Sequence, residues 1–272
     1  MPQLGFGVFQ IPETETARAV ETALQTGYRS IDTAAAYGNE AGVRDAVLTS
    51  GLNRSDVFIT TKLQNSDHGR HKVPRAFEES LDKLGGDHID LYLIHWPIPH
   101  KGLTVETWEA LVELQREERV RSIGVSNFRV EDLDRIIDAT GVVPAVNQIE
   151  LHPRLQQLEL RRFHEHHGIV TEAWSPLGKA HQAPPSGAAD HPGVLDDPTI
   201  ERIATAHGRT PAQVVLRWHI QLGNVVIPKS VTPSRIEENF QIFDFELGDD
   251  DMHALFELDR EERTGPDPDT FG

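Results

Sequence analysis

Short apolar runs alternate along the chain with longer segments in which apolar residues recur every three or four positions. The short runs are Leu4–Phe9, Arg29–Asp32, Val57–Lys62, Ile89–His95, Val120–Val125, Ala145–Ile149, Ile169–Trp174 and Val225–Ile227. Several are apolar almost throughout, as strands buried on both faces must be. Between them, Ala17, Val20, Ala23 and Leu24 fall on one helix face, as do Val105, Trp108, Leu111 and Val112. Thr210 followed by Pro211 and Gln213 is a capping-box sequence with proline at the first helical position. Thr232-Pro233 reads as another helix start, and so does Gly248-Asp-Asp-Asp251, where the helix dipole favours acids. Gly27, Gly141, Gly168 and Gly223 stand where helices should stop.

Alternating strands and helices predict a parallel α/β sheet. The strands number eight, and no G-x-G-x-x-G follows the first of them. Both facts favour a closed (β/α)8 TIM barrel over a doubly wound sheet. No linker divides the chain, so residues 1–272 read as one barrel domain. Gly178–Pro198, rich in Pro, Gly, Ala and His, is expected to be a long surface loop able to act as a lid. The Pro- and Asp-rich tail Gly265–Gly272 is expected to be irregular.

Composition narrows the chemistry. The chain has no cysteine, which removes thiolate catalysis, thiolate metal sites and disulfides, and fits a cytoplasmic location. No apolar run approaches the roughly 20 residues of a membrane-spanning helix. Met1–Gly5 has no basic region before an apolar stretch, so it does not read as a signal peptide. A net charge of -17 repels nucleic acid and anionic membranes, so neither is an expected partner. An anionic ligand would need a local basic pocket.

Most of the strand patterns end in polar residues: Asp32, Lys62, His95, Ser126-Asn127, Asn147-Gln148 and Lys229-Ser230. In an α/β barrel these ends converge on one face, where catalytic groups sit. Asp32, Tyr37, Lys62 and His95 form a coherent set for reducing a carbonyl. A hydride added to carbon leaves an alkoxide that needs a proton. A free tyrosine, at about 10, is too weak an acid near neutrality, and a nearby ammonium lowers its pKa. Lys62 can supply that charge, Asp32 can hold Lys62, and His95 can orient the substrate oxygen. Singly, each has an ordinary structural role, as a buried ion pair or a satisfied core histidine; their convergence on one rim favours the catalytic reading.

A second site spans Val226 to Phe240, where a strand end, Lys229, Ser230, Thr232 and Arg235 surround a helix start. Helix N-termini attract anions, and barrels often bind phosphate after their last two strands. Trp174, followed by Ser175-Pro176-Leu177-Gly178, could stack on a planar cofactor ring. The cluster His164-Glu165-His166-His167 lacks the His-Glu-x-x-His spacing of a metal site and falls toward the opposite end of the barrel, so no metal is expected there.

These residues resemble the aldo-keto reductase superfamily, most closely its bacterial 2,5-diketo-D-gluconate reductase-like group. The resemblance rests on Gly27-Tyr-Arg-Ser-Ile-Asp-Thr-Ala-Ala-Ala-Tyr-Gly-Asn-Glu40, Ile59-Thr-Thr-Lys62, Ile89-Asp-Leu-Tyr-Leu-Ile-His-Trp-Pro97, Ile123-Gly-Val-Ser-Asn-Phe128, Asn147-Gln-Ile-Glu-Leu-His-Pro153, Trp174-Ser-Pro-Leu-Gly178, and Ile227-Pro-Lys-Ser230 through Glu238-Asn239. It implies an NADPH-dependent enzyme that reduces small aldehydes, ketones or keto-sugars, and by family default a monomer. It also implies roles. Asp32, Tyr37, Lys62 and His95 match the catalytic tetrad, with Tyr37 as proton donor. Ser126, Asn127 and Gln148 match residues that bind the nicotinamide carboxamide, and Trp174 the ring beneath it. Ser175, Leu177 and Gly178 match pyrophosphate contacts. Lys229, Ser230 and Arg235 match the clamp on the 2′-phosphate, and Glu238 and Asn239 match adenine contacts. Phe9 and Trp96 match walls of the substrate pocket.

Two departures carry expectations of their own. The sequence starts at the first barrel strand, so the N-terminal β-hairpin that usually plugs the barrel floor is expected to be absent. Gln64 stands where this group often has tryptophan, which predicts a more polar or roomier pocket. Two alternatives stay open at this point. One is a redox-sensing protein that keeps NADP(H) but barely turns over. The other is a phosphate-binding lyase or isomerase, disfavoured by missing metal ligands and by the Lys229–Asn239 segment.

Overall fold

The computed structural model describes residues 1–178 and 193–271. Eight strands run in chain order: β1 (Phe6–Gly7), β2 (Ser30–Asp32), β3 (Phe58–Leu63), β4 (Ile89–Ile94), β5 (Val120–Ser126), β6 (Val146–Glu150), β7 (Val170–Trp174) and β8 (Val225–Val226). They form one sheet in sequential order, and every strand is parallel to its neighbours. The sheet closes on itself. Val226 N–H donates to the Gln3 carbonyl (2.9 Å), Gly5 N–H to Val226 (2.8 Å) and Gly7 N–H to Pro228 (3.2 Å). This is the expected (β/α)8 barrel. The first strand pattern divides its bonding: Gln3–Gly5 pair with β8, Phe6–Gly7 pair with β2, and Gly7 N–H also reaches the Pro228 carbonyl just past β8. Strands tilt and stagger when a barrel closes, so one short run meets its two neighbours at different heights.

Ten α-helices surround the sheet among the described residues. They are α1 (Glu13–Thr26), α2 (Glu40–Thr49), α3 (Val73–Leu84), α4 (Thr104–Arg116), α5 (Val130–Thr140), α6 (Leu158–His167), α7 (Pro198–His207), α8 (Pro211–Gln221), α9 (Pro233–Phe240) and α10 (Asp249–Phe256). The predicted boundaries hold. Gly27, Gly141 and Gly168 cap α1, α5 and α6, and Gly223 follows the Leu222 cap of α8. The box at α8 is reciprocal: Gln213 N–H donates to Thr210 Oγ (3.3 Å), and Thr210 N–H to Gln213 Oε1 (3.0 Å). α9 starts after Thr232, whose side chain makes no capping bond.

The main core lies between strands and helices, with Phe6, Ile31, Ile59, Tyr92, Trp108 and Trp218 among its fully buried members. The barrel interior holds a smaller apolar cluster, Leu91, Leu93 and Val146 with Phe58 against it. Residues two apart on a strand share a face. Inward positions therefore pass from this apolar layer to the polar strand ends: Leu91 and Leu93 lead to His95, Val146 to Gln148 and Glu150, and Glu172 to Trp174.

The loop expected over Gly178–Pro198 falls largely on residues 179–192, outside those described; 194–196 form a 3-10 turn and Pro198 opens α7. The tail is irregular, as expected, but it is also docked on the barrel. No helix among the described residues is long and apolar enough to cross a membrane.

Candidate active site

Asp32, Tyr37, Lys62 and His95 meet at the C-terminal mouth of the barrel. Lys62 comes from β3 and is fully buried. Its Nζ donates to Asp32 Oδ1 at 2.7 Å and to the Thr33 carbonyl at 3.0 Å, and lies 3.5 Å from Tyr37 Oη. Burial alone would pull this ammonium down. The Asp32 carboxylate more than offsets that, and Lys62 stands above the usual lysine value.

Tyr37 sits in a single 3-10 turn, Ala35–Tyr37, between β2 and α2. Asn39 pins that turn. Its Oδ1 accepts from Thr33 Oγ1 (2.8 Å) and its Nδ2 donates to the carbonyls of Val8 (2.9 Å) and Ile11 (3.0 Å). The phenol ring lies 5.0 Å from Phe9 and 5.7 Å, edge to face, from His95 between centroids. Burial raises the Tyr37 phenol, Lys62 draws it back down, and Asp32 and Glu172 push it up again, so it stands above the ordinary tyrosine value. This corrects the sequence-based expectation of a lowered pKa. Lys62 acts with the expected sign, but desolvation of the phenolate outweighs it.

His95, at the end of β4, is pulled down to about 3 by burial and by Lys62. It is therefore neutral at any working pH, with one N–H to donate.

The expected carboxamide-binding residues gather beside this set. Ser126 Oγ donates to the Gln148 carbonyl (2.8 Å). Asn127 follows β5 in the left-handed region at φ 65°, an uncommon conformation that turns its side chain across the mouth. Its Nδ2 donates to the His95 carbonyl (3.0 Å) and to Ser126 Oγ (3.1 Å), and its Oδ1 accepts from Trp174 Nε1 (2.8 Å). Ser175 is also left-handed, at φ 46°, where the chain leaves β7. Leu177 is partly buried and packs on the main core. Gly178 has φ 57°, and a Cβ there would come within 2.7 Å of Val194 Cγ2, so the turn has no room for a side chain. Gln148 points inward rather than up: its Nε2 donates to Asp32 Oδ2 (2.8 Å) and to Glu172 Oε2 (2.9 Å).

The second predicted group lies after β8. Lys229 and Arg235 are exposed and make no ion pair among the described residues. Ser230 Oγ accepts from Thr232 N–H (3.1 Å) ahead of α9. Glu238 Oε1 accepts from Thr210 Oγ1 (2.8 Å), tying α9 to α8, and Asn239 is buried. Two unpaired cations at an uncapped helix start, on a chain of net charge -17, fit an anionic ligand.

Trp96 is buried, its ring 4.5 Å from Phe271 and 6.5 Å from Trp174 between centroids, whereas Phe9 is exposed at the rim. The Gln64 amide is turned toward Asp67 Oδ2 (2.7 Å). His164, from the suspected histidine cluster, is buried, with Nε2 at 3.0 Å from Asn147 Nδ2 and Nδ1 at 2.9 Å from Thr171 Oγ1. Both ring nitrogens are thus engaged in the wall of the barrel. No group of three His, Cys, Asp or Glu able to hold a metal occurs among the described residues.

Two acidic residues of the site were not anticipated. Glu150, fully buried at the end of β6, accepts the N–H groups of Thr264 (2.7 Å) and Gly265 (3.0 Å) and pairs with Arg263 (3.4 Å). Burial alone would raise this carboxyl, but bonds from His152 and Thr264 hold it below the usual value. Glu150 thereby fastens the tail onto the mouth. Arg129 adds pairs to Asp267 (2.8 Å) and Asp269 (3.0 Å). Gly265 packs so closely against the edge of the Trp174 ring that a Cβ there would collide with Cη2. Glu172 is the other. Strand alternation marks both, since Glu150 shares a face with Gln148 and Glu172 with Trp174.

The sequence profile described as the Aldo/keto reductase family matches residues 3–260. An aldo-keto reductase of Mycobacterium sp. (strain KMS) is 54% identical over 271 residues, covering 100% of this chain and 94% of that protein. The methylglyoxal reductase DkgA of Escherichia coli (strain K12) is 51% identical over 272 residues, with 100% and 94% covered. Among solved structures, Gox0644 in its apo form superposes with a TM-score of 0.93 at 52% identity, covering 100% of this chain and 95% of that one. An aspartate-to-alanine variant of Gox0644 in complex with NADPH superposes with a TM-score of 0.92, at the same identity and coverage.

Proposed function

The chain belongs to the Aldo/keto reductase family, and on that premise we propose that it is an NADPH-dependent oxidoreductase that reduces small carbonyl compounds to alcohols, with Tyr37 as the proton donor. The observation that carries this reading is the placement of one buried ammonium, Lys62 Nζ, at 2.7 Å from Asp32 and 3.5 Å from the Tyr37 hydroxyl, with neutral His95 beside the same ring.

NADPH, when bound, supplies the hydride that adds to the carbonyl carbon. The protein's part is to place the carbonyl oxygen and give it a proton. His95 donates its N–H to that oxygen and fixes its position. Its neutrality leaves Lys62 as the cation nearest the phenol. Tyr37, whose phenol stands above the ordinary value, is fully protonated near neutrality and so is always loaded as an acid. When its proton passes to the substrate oxygen, the phenolate left behind lies beside Lys62, which stabilises it. Asp32 keeps Lys62 charged and in place. Ser126 and Asn127 border the pocket that would take the nicotinamide against Trp174. Ser175, Leu177 and Gly178 would bend around the pyrophosphate. Lys229, Ser230 and Arg235 would hold the 2′-phosphate, with Glu238 and Asn239 at the adenine. Phe9 and Trp96, with the docked tail, would bound the substrate.

The relatives named for methylglyoxal reduction support a small aldehyde, ketone or keto-sugar as substrate. The test is loss of reduced-nicotinamide absorbance with methylglyoxal, a benzaldehyde and a diketo-sugar acid. Turnover with at least one is expected; tight NADPH binding without turnover on any would instead indicate a sensor.

Arg235→Ala separates the two nicotinamide cofactors. A charge-assisted contact to phosphate contributes about 1.5–3 kcal/mol, so NADPH affinity should fall about tenfold to a hundredfold. NADH, which has no 2′-phosphate, should lose little. Fluorescence titration with both cofactors checks this, and equal losses would remove the phosphate role from Arg235.

A further inference from the structure

Glu172 lies in the middle of β7, fully buried and facing the barrel interior. One of its oxygens, Oε2, accepts from Gln148 Nε2 at 2.9 Å; the other, Oε1, has no hydrogen-bond partner. The same Gln148 amide group donates to Asp32 Oδ2 at 2.8 Å, and Asp32 Oδ1 accepts from Lys62 at 2.7 Å. A continuous line of contacts therefore crosses the barrel from Glu172 through Gln148, Asp32 and Lys62 to the Tyr37 hydroxyl.

We propose that Glu172 is a positioning residue for the proton transfer: acting through Gln148 it orients Asp32, and its own charge state sets how readily Tyr37 gives up its proton. This inference rests on the catalytic reading of Tyr37 and Lys62 given above.

Two carboxyl groups share one ammonium inside a dry barrel. If both were ionised, the cluster would carry a net negative charge, and Glu172 would bury an oxygen that nothing solvates, a costly arrangement. Keeping a proton on Glu172 leaves Asp32 and Lys62 as a balanced pair. The titratable groups facing Glu172 are Asp32 from β2, Lys62 from β3 and Tyr37 from the turn after β2. β6 offers it the Gln148 amide and, two residues further along the same face, the Glu150 carboxylate, which is held at the mouth by the N–H groups of Thr264 and Gly265; β8 carries only Val225 and Val226. His95 is neutral and adds no charge. Burial first, and Asp32 second, push the Glu172 carboxyl up to about 8, while Gln148 and Lys62 pull against them. Near neutrality the acid form is therefore favoured. Above that range Glu172 ionises, and its negative charge further raises the Tyr37 phenol. A phenol so raised is a weaker acid in reduction, and in alcohol oxidation it becomes available as a base only at higher pH.

The Glu172→Gln variant, nearly isosteric with the protonated acid, tests this. The alkaline rise of alcohol oxidation, which follows loss of the Tyr37 proton, should move down by about one pH unit in the variant. Superimposable profiles in two active enzymes would overturn the inference and leave the reductase reading intact. If the wild type moves hydride in neither direction, the reductase reading falls, and this inference falls with it.

Linkage supplies a second readout. A carboxyl whose folded pKa is raised binds more protons folded than unfolded between the two values, so stability falls as pH rises through that window. The melting temperature of Glu172→Gln relative to wild type should therefore climb from about pH 5 to about pH 8. A constant difference would mean an ordinary hydrogen-bonding role and would count against the inference. A third measurement needs only the wild-type protein. Infrared difference spectra should show the carbonyl stretch of a protonated buried carboxylic acid that is lost between about pH 6 and about pH 10, and its absence would also defeat the proposal.

Discussion

Tyr37→Phe is expected to lower carbonyl reduction by about a hundredfold to ten-thousandfold, the usual worth of a positioned general acid, while NADPH affinity changes by less than about twofold. The substitution removes one oxygen and little else. The ring keeps its contacts with Phe9 and His95, and the turn that carries it is held by Asn39, which does not touch the hydroxyl. The phenolic oxygen is near one polar partner, Lys62 Nζ at 3.5 Å, and that nitrogen keeps Asp32 and the Thr33 carbonyl without it. Stability should therefore be nearly unchanged. With hydride still available and the substrate oxygen still held by His95, the missing element is the proton alone. Steady-state turnover beside cofactor titration separates the two effects. Retained activity in a correctly folded variant would remove Tyr37 from the role of acid.

The residues in that argument were legible in the sequence for a specific reason. Strands buried on both faces are nearly all apolar, so the polar residues at their ends stand out: Asp32, Lys62, His95, Asn127 and Gln148 announce the mouth of the barrel. Two kinds of information were not legible. The first is desolvation. The types and spacing of Tyr37 and Lys62 give the sign of their interaction, but whether it outweighs burial of the phenol depends on how much protein encloses both. The second is docking between distant segments. The tail reads only as irregular, because nothing local to Thr264 or Gly265 signals that both bind Glu150 or that Gly265 packs against Trp174. Glu172 falls between these cases. An acid within the run from Ile169 to Trp174 is conspicuous, and its shared face with Trp174 follows from strand alternation. Its link to Asp32 depends on a glutamine from another strand.

Lys62→Met is expected to damage both the chemistry and the fold, and the two losses should be separable. The ammonium is fully buried between Asp32, the Thr33 carbonyl and the Tyr37 hydroxyl. Removing one partner of a buried pair typically costs about 3–5 kcal/mol, because the other charge is left without compensation. For a protein of this size that lowers the melting temperature by about 5–10 °C. Here Asp32 would keep only the Gln148 amide, with a second carboxyl, Glu172, on the far side of that amide. The pH dependence has a definite sign. In the wild type the lysine stands above its ordinary value, so the stability that its protonation contributes is present below about pH 10 and is lost as pH rises through the folded value. In the variant the buried Asp32 carboxylate is left without its cation, so thermal melts should show the full deficit against wild type near neutrality. Adding Asp32→Ala to Lys62→Met removes the orphaned carboxylate and should restore about half or more of the lost stability. Turnover should not return, because neither variant offers the Tyr37 phenolate a cation. The doubly substituted protein would then be a folded barrel reduced in rate by about a thousandfold. Recovery of activity along with stability would mean that Lys62 supports the fold alone, and that the phenol loses its proton without help from its charge.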